Sequence, residues 1–88
     1  MIKTDVKIVN KAGMHTRPAS SIVKIAARYK ADFFVEKDGM KVNGKSIIGV
    51  MTLAAEQGST LELIFDGPDE KELCEEMKSF FERGFDEM

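Results

Sequence analysis

Cysteine and histidine are nearly absent from the sequence: Cys74 and His15 are the only residues of their kinds among 88. A lone cysteine cannot form a disulfide within the chain and provides no thiolate cluster for a metal, which is typical of proteins from a reducing compartment. No run approaches the roughly 20 apolar residues that a membrane-spanning helix needs. The alternating start MIKTDVKIV also lacks the apolar stretch of a signal peptide. We therefore expect a cytoplasmic protein with no metal, no cofactor and no direct membrane insertion.

An excess of charge of one sign is also missing, because 13 basic residues are balanced by 15 acidic ones. The net charge of −2 does not predict nucleic-acid binding. The charges are nevertheless unevenly distributed: residues 1–48 carry ten Lys and Arg and four acids, and residues 49–88 carry three and eleven. Two arrangements stay open. Either the surface is dipolar and its basic part steers an acidic protein partner, or folding mixes the two halves.

Hydrophobic periodicity predicts one α+β domain over residues 1–88. Residues 2–8 alternate as a half-buried strand does, and Pro18 suits the first turn of a helix. Asp38-Gly39 indicates a hairpin between two further strands, and residues 61–65 alternate as a fourth strand. The segment from Gly67 to Glu70 begins a last helix. The apolar face of the first helix is expected to comprise Ala19, Ile22, Val23, Ala26 and Tyr29.

Between the third and fourth strands, Ser46 suits the N-cap of a short helix that runs through Leu53. This helix is apolar on almost every side, although a two-layer sandwich buries only one face of it. We assign Val50 and Leu53 to the core. Apolar residues on the other face would form an exposed patch, which usually marks a protein interface; the alternative is that every one of them is buried. The patch comprises Ile47, Ile48 and Met51.

His15 lies between the end of the first strand and the start of the first helix. A neutral imidazole has one ring nitrogen with a free lone pair, which can act as a nucleophile. The helix start offers unpaired N–H groups to phosphate oxygens, Arg17 offers a guanidinium, and Gly13 permits a tight turn. These features predict a site where His15 takes up a phosphoryl group. The alternative is an ordinary surface histidine.

Other functional classes lack their characteristic residues. A stand-alone hydrolase needs a base and an orienting group beside its nucleophile, and no such group is visible near His15 in the sequence. An RNA-binding sandwich needs a basic surface with exposed aromatic residues, and a metallochaperone needs a Cys-x-x-Cys loop. We therefore predict a carrier or binding module that needs partner enzymes, and not an enzyme.

The segment from Gly13 to Ala19, GMHTRPA, matches the pattern G-x-H-x-R-P-A. That pattern surrounds the phosphorylated histidine of the phosphocarrier HPr family of the bacterial phosphotransferase system, which this chain resembles over nearly its whole length. A second segment, residues 43–51 followed by Leu53, is similar to the region around the regulatory serine of that family. The resemblance implies an open-faced sandwich of order βαββαβα. In that fold, two long helices and one short helix cover one face of a four-stranded antiparallel sheet.

The resemblance also implies roles for particular residues. His15 would receive a phosphoryl group on its δ1 (pros) nitrogen from Enzyme I, whose donor is phosphoenolpyruvate, and would pass it to an enzyme IIA domain in sugar uptake. Arg17 would help to bind the phosphate, and an HPr kinase/phosphorylase would modify Ser46. Apart from the resemblance, Lys24, Arg28 and Lys45 could surround the site with positive charge; the alternative is a solvated helix face. Partner contacts are expected at Thr16, Ser20, Lys24, Arg28, Ile47, Ile48 and Met51.

The sequence combines features of two branches of that family. Residues 81–87, FERGFDE, resemble the ending of the nitrogen-linked (NPr) branch, whereas residues 45–51 are more similar to the sugar branch. A third relative, a catabolite-control homologue, lacks the histidine that this chain has. A nitrogen-branch carrier and a regulatory module that binds proteins without phosphotransfer therefore stay open as alternatives. We expect a monomer in each case.

Overall fold

A computed structural model describes residues 1–87 as four strands and three helices. In chain order the elements are β1 (Ile2–Lys7), α1 (Thr16–Ala27), β2 (Asp32–Lys37), β3 (Met40–Asn43), α2 (Ile47–Thr52), β4 (Thr60–Asp66) and α3 (Glu70–Glu82). A 3-10 turn, Gly84–Asp86, follows α3 and has no counterpart in the prediction. The predicted order βαββαβα is confirmed. Within residues 1–87, no helix has both the length and the apolar character needed to cross a membrane.

The sheet is antiparallel throughout, with strand order β1-β4-β2-β3. The β2–β3 hairpin closes through Asp38 and Gly39, whose φ angles of 51° and 83° are both left-handed. A two-residue turn with these angles matches the twist of the flanking strands, and it pairs Lys37 directly with Met40. The hairpin predicted from Asp38-Gly39 is therefore present.

The core lies between the sheet and the helices. Phe33 on β2 and Phe65 on β4 are direct cross-strand partners, and their rings stack with centroids 5.0 Å apart. Such aromatic pairs contribute roughly 0.5–1.5 kcal/mol beyond the area that they bury. The helices supply the opposite side of the core with the fully buried residues Ala19, Ile22, Ala26, Val50, Leu73, Met77 and Phe81.

Two residues differ in part from what was expected. Helix α1 ends at Ala27, so Tyr29 lies beyond the helix, although its side chain packs against the core as expected and its hydroxyl donates to Glu76 of α3. Ile64 was expected to alternate outward on β4, yet it is buried on the open face of the sheet. It pairs there with Phe34, whose ring is covered by the Lys41 ammonium at 4.7 Å.

Folding mixes the charges of the two sequence halves in the sheet. Strand β4 comes from the acidic half but lies between β1 and β2 from the basic half. The helical layer keeps some separation, because α3 carries five glutamates and two lysines, whereas α1 carries Arg17 and Lys24 and no acid. Arg28 at the end of α1 forms an ion pair with Glu76 of α3. The dipolar arrangement is therefore confined to the helical layer.

Gly44 packs directly against the ring of Phe33. A Cβ atom at Gly44 would overlap Cδ2 and Cε2 of the Phe33 ring, which is fully buried and stacked on Phe65. We expect Gly44→Ala to lower the free energy of unfolding by about 1–3 kcal/mol, the usual cost of overpacking, as measured by urea denaturation. The control Gly39→Asn adds a Cβ where no atom lies within 4 Å, and asparagine tolerates the left-handed backbone there. Equal losses in the two variants would contradict this packing argument.

Asp69 connects the end of α1 to the start of α3. Its Oδ2 accepts from the Lys30 N–H at 2.9 Å, and its Oδ1 accepts from the Ala31 N–H at 2.8 Å. These hydrogen bonds, that from Lys30 foremost, hold the pKa of the Asp69 carboxyl below its ordinary value of 3.8. A carboxyl whose pKa is lowered by folding stabilises the protein above its unfolded-state pKa, and this contribution is lost as the pH falls through the folded-state pKa.

We therefore expect Asp69→Asn to be less stable than the parent at pH 7, with the difference decreasing below pH 3.8. Thermal unfolding of both proteins at several pH values between 7 and 2.5 measures this difference in stability. A difference that stays constant over this range would show that the Asp69 charge does not stabilise the fold.

Candidate functional site

His15 is the N-cap residue of α1. Its backbone is extended, with φ −119° and ψ −172°, and its side chain makes no capping hydrogen bond. The imidazole is 43% exposed. The ring does not cap the start of the helix and is therefore accessible to a partner protein.

The loop after α2 holds the backbone that precedes His15. Met14 is buried and donates its N–H to the carbonyl oxygen of Ala55 at 2.8 Å. Gly13 has a φ of 71°, and a Cβ there would lie 2.7 Å from the same oxygen. Both the left-handed backbone and the close approach require glycine, so the tight turn predicted at Gly13 is present.

The first turn of α1 has the features of an anion-binding helix start. The N–H groups of Thr16 and Arg17 have no partner within the helix, and Pro18 has no N–H. Ala19 is the first residue to donate, to the carbonyl of His15 at 3.1 Å. No acidic side chain lies in this turn, and Arg17 is exposed. These donors and the positive end of the helix dipole favour an anion next to His15.

The carboxyl-terminal segment adds a residue that the sequence analysis missed. The Glu87 carboxylate lies against Nε2 of His15, with Oε1 at 3.0 Å and Oε2 at 2.9 Å. Asn10 donates from Nδ2 to Glu87 Oε1 at 2.8 Å and to the Gly13 carbonyl at 2.9 Å. The expectation that no acidic or orienting group lies beside His15 is therefore wrong. Glu87 is 72 positions away along the chain, and only folding brings the two side chains together.

Phe85 anchors the segment that carries Glu87. After α3 the chain passes through left-handed conformations at Gly84, Phe85 and Asp86, with φ of 64°, 59° and 59°. For residues other than glycine this conformation costs roughly 1–2 kcal/mol each. The Phe85 ring is buried against Phe80 and Phe81, at centroid distances of 5.3 and 4.9 Å, and burying such a side chain contributes about 1.5–3 kcal/mol. In the sequence, Gly84-Phe85 after the helix indicates that the chain reverses there. It does not indicate that Glu87 will contact His15.

Glu87 is anionic in this environment. The hydrogen bond from His15 is the largest cause that holds the pKa of the Glu87 carboxyl below its ordinary value of 4.5. The hydrogen bond from Asn10 and the positive charge of Arg17 act in the same direction. The Glu87 side chain is only 12% exposed. A negatively charged acceptor therefore occupies one edge of the His15 ring.

The predicted apolar patch on α2 is exposed. Ile48 is 80% exposed, and Ile47 and Met51 are each 39% exposed, whereas Val50 and Leu53 are buried as expected. The Thr16 hydroxyl lies 3.9 Å from the Met51 Sδ, which places the patch next to the first turn of α1. An apolar surface therefore adjoins the accessible histidine.

Ser46 is the N-cap residue of α2 and makes a capping hydrogen bond. Its Oγ accepts from the Gly49 N–H at 3.1 Å. The predicted cap is confirmed, and the half-buried side chain lies at the edge of the apolar patch.

The structure does not gather the other predicted basic residues around His15. Arg28 is the C-cap residue of the 12-residue α1, so it lies roughly 18 Å along the helix axis from its start, where it pairs with Glu76. Lys45 donates to the Tyr29 carbonyl at 2.9 Å, near that same end, and Lys24 lies in the last turn. Ser20 is half-buried within α1. Among the basic residues singled out from the sequence, Arg17 alone lies at the helix start.

A pocket of about 400 Å³ opens beside Glu87. It is lined by Val9, Asn10, Lys11, Ala12, Gln57 and Glu87.

Between residues 1 and 87, no group of three His, Cys, Asp or Glu side chains is arranged to hold a metal ion.

Comparison with known proteins identifies close relatives of this chain. The family model described as the HPr component phosphorylation site of the phosphotransferase system (PTS) matches residues 2–83. The HPr-like protein Crh of Halalkalibacterium halodurans is 45% identical over 83 residues, covering 94% of this chain and 99% of the relative. The phosphocarrier protein HPr of Treponema pallidum is 41% identical over 87 residues, covering 99% of each chain.

Solved structures show the same fold. The crystal structure of HPr from Thermoanaerobacter tengcongensis superposes with a TM-score of 0.95 at 39% identity, covering 100% of this chain and 99% of that one. Crh from Bacillus subtilis, a dimer with a swapped domain, gives a TM-score of 0.77 at 40% identity. The match covers 96% of this chain and 97% of the Crh chain. That relative is a dimer, whereas the monomer expected for this chain stays a prediction.

Proposed function

The chain belongs to the HPr family of phosphocarrier proteins of the phosphotransferase system, and we propose that it carries a phosphoryl group on His15 from Enzyme I to an enzyme IIA domain. One observation supports this most strongly. An exposed imidazole lies at the N-cap of a helix whose first two N–H groups have no partner within the helix and whose first turn contains Arg17. An ordinary surface histidine does not require this combination of exposure, helix start and neighbouring guanidinium.

The proposed transfer is a displacement at phosphorus. The lone pair of a His15 ring nitrogen forms the N–P bond, the bond between phosphorus and the donor breaks, and its electron pair stays with the donor. The phosphoryl oxygens accept from the N–H groups of Thr16 and Arg17 and from the Arg17 guanidinium. A helix terminus contributes roughly 0.3–1 kcal/mol to an exposed anion and about 2 kcal/mol when the site is partly buried. Interactions of this size hold the group without preventing its onward transfer.

Docking is assigned to the surface beside the histidine. Ile47, Ile48 and Met51 present apolar area next to Thr16, and methionine adapts to differently shaped partners. A carrier has to dock on a donor and an acceptor in turn, so one shared surface suits it. Ser20 and Lys24 extend this surface along α1, whereas Arg28, which was also expected to contact partners, pairs with Glu76 at the far end of that helix.

The carrier function predicts a phosphoryl group on His15. Incubation with phosphoenolpyruvate and Enzyme I should add one acid-labile phosphoryl group, seen by intact mass and by phosphorus NMR. The His15→Ala variant should add none, because the nucleophile is lost. Subsequent incubation with enzyme IIA proteins of the sugar and nitrogen branches would show which pathway is served. An unmodified parent protein with Enzyme I of both branches would contradict the carrier function.

Ser46 is proposed as a regulatory site for an HPr kinase/phosphorylase. A phosphoserine adds a charge of about −1.5 to −2. At the N-cap of α2 this charge is compatible with the helix dipole, but it would lie at the edge of the apolar docking patch and would repel acidic partners. Modification of Ser46 would therefore weaken docking without unfolding the protein.

We expect Ser46→Asp to slow phosphoryl uptake by His15 while the stability changes little, since aspartate is also a good N-cap residue. Initial rates with Enzyme I and thermal unfolding measure the two effects. Ser46→Asn, which retains a capping oxygen without the charge, is the matched control. Uptake by Ser46→Asp at the rate of Ser46→Asn would rule out an electrostatic effect of this site.

A regulatory protein-binding module is the second candidate, because two of the relatives are HPr-like Crh proteins. Such a module would bind its partner through the α2 patch and would not need His15. The His15→Ala variant separates the two candidates: it should lose phosphoryl uptake if the chain is a carrier, and it should keep full partner binding if the chain acts only as a module.

A further inference from the structure

A chain of hydrogen bonds runs from a buried asparagine to the imidazole. Asn10 is 1% exposed, and its Nδ2 lies between two acceptors, the Gly13 carbonyl and Glu87 Oε1. Only a donating amide fits this position, because an oxygen there would face two other oxygens. Its own Oδ1 has no hydrogen-bond partner among residues 1–87. An unpaired buried amide oxygen is unfavourable for the stability of the fold. The contribution of Asn10 is therefore the hydrogen bond that holds the Glu87 carboxylate.

The Glu87 carboxylate determines which ring nitrogen of His15 carries the proton. An ionised carboxylate only accepts hydrogen bonds, and both of its oxygens lie within 3.0 Å of Nε2. Nε2 therefore carries the hydrogen when the ring is neutral, and Nδ1 keeps the free lone pair. The hydrogen bond on one nitrogen thus makes the other nitrogen the nucleophile.

The same carboxylate faces the charge that develops during transfer. When Nδ1 uses its lone pair to form the bond to phosphorus, Nε2 keeps its hydrogen and the ring becomes positively charged. The donor keeps the electron pair of the bond that breaks, and no other proton moves. Glu87 lies against Nε2 of the ring that becomes cationic, and Arg17 and the first N–H groups of α1 are the donors proposed for the phosphoryl oxygens. A carboxylate that orients an imidazole and stabilises its positive form has this role in other nucleophilic sites.

We propose that Glu87, held by Asn10, is a positioning residue that selects Nδ1 of His15 as the phosphoryl acceptor and stabilises the charged ring formed by the transfer. This inference rests on the proposed carrier function and deepens it. It assigns a role to a residue that lies outside the segment GMHTRPA and outside the residues 2–83 that match the family model.

The competing explanation is that the carboxylate blocks the anion site. Glu87 is negatively charged and lies close enough to Arg17 for its pKa to be affected, so it could repel an incoming phosphoryl group. Removal of a blocking carboxylate would accelerate phosphoryl uptake, whereas removal of a positioning carboxylate would slow it. The two explanations therefore predict opposite changes.

The test uses the full chain with Glu87→Ala, Glu87→Gln and Asp86→Asn. Glutamine keeps a carbonyl acceptor for Nε2–H without the charge. Asp86→Asn removes the same charge from the neighbouring residue, which pairs with Arg83 and not with His15. Nitrogen-15 NMR of the unphosphorylated protein, at a pH where the ring is neutral, reports the tautomer directly. Initial rates with Enzyme I report the transfer.

We expect the parent and Asp86→Asn to show the Nε2–H tautomer alone and to take up the phosphoryl group at equal rates. Glu87→Ala should show a detectable share of Nδ1–H tautomer and about tenfold slower uptake, as expected for the loss of a hydrogen bond to a charged group. Glu87→Gln should keep the tautomer and recover part of the rate.

An unchanged tautomer and rate in Glu87→Ala, or faster uptake, would overturn the inference. The tautomer is measured without any phosphoryl donor, so failure of the carrier function itself would appear separately, as a parent protein that Enzyme I does not modify.

Discussion

Backbone hydrogen bonds between two loops determine where His15 lies, and the rest of the site depends on them. Ile8 donates to the Ser59 carbonyl at 2.9 Å and accepts from Gly58 at 2.8 Å, and Met14 donates to Ala55 at 2.8 Å. The Ile8 bonds continue the β1–β4 ladder past the end of the strands. After the turn from Asn10 to Gly13, the Met14 bond holds the chain again at the residue before His15. Helix α1 begins directly after His15, so the imidazole lies at the helix start. The close approach of Gly13 to Ala55 shows how little space the arrangement leaves.

Charges of both signs lie at the His15 ring. The start of α1 and Arg17 supply positive charge that suits a phosphoryl group, and Glu87 with Asn10 forms an anionic edge at Nε2. This combination is compatible with the proposed acceptance and release of a phosphoryl group. The ring is polarised by fixed neighbours, and its 43% exposure would leave the proposed phosphoryl group within reach of a partner protein.

The surface around the site is less basic than the sequence suggests. Ten of the 13 basic residues lie in the first 48 positions, but Arg28 and Lys45 are committed to contacts at the far end of α1. What adjoins His15 instead is the apolar patch on α2. Docking by apolar area with a small number of charges agrees with the composition usual for the centre of a protein interface.

Much of this protein can be predicted from the sequence, because local patterns determine local structure. The alternation in β1, the Asp38-Gly39 turn and the Ser46 cap each depend on residues a few positions apart, and each is found as expected. The segment GMHTRPA likewise places the histidine, the guanidinium and the helix start within one turn. The order of elements and the family follow from these local signals.

Contacts between distant residues were decided only by the tertiary structure. Glu87 reaches His15 because Phe85 fills a space between the side chains of Phe80 and Phe81, and Asn10 reaches Glu87 because the loop after β1 turns back at Gly13. No periodicity in the sequence reports these approaches, since they result from how finished elements pack together. The sequence by itself therefore determined the elements, the family and the histidine that we propose as the phosphoryl acceptor. Packing decided which carboxylate lies against its ring and which basic residues lie far from it.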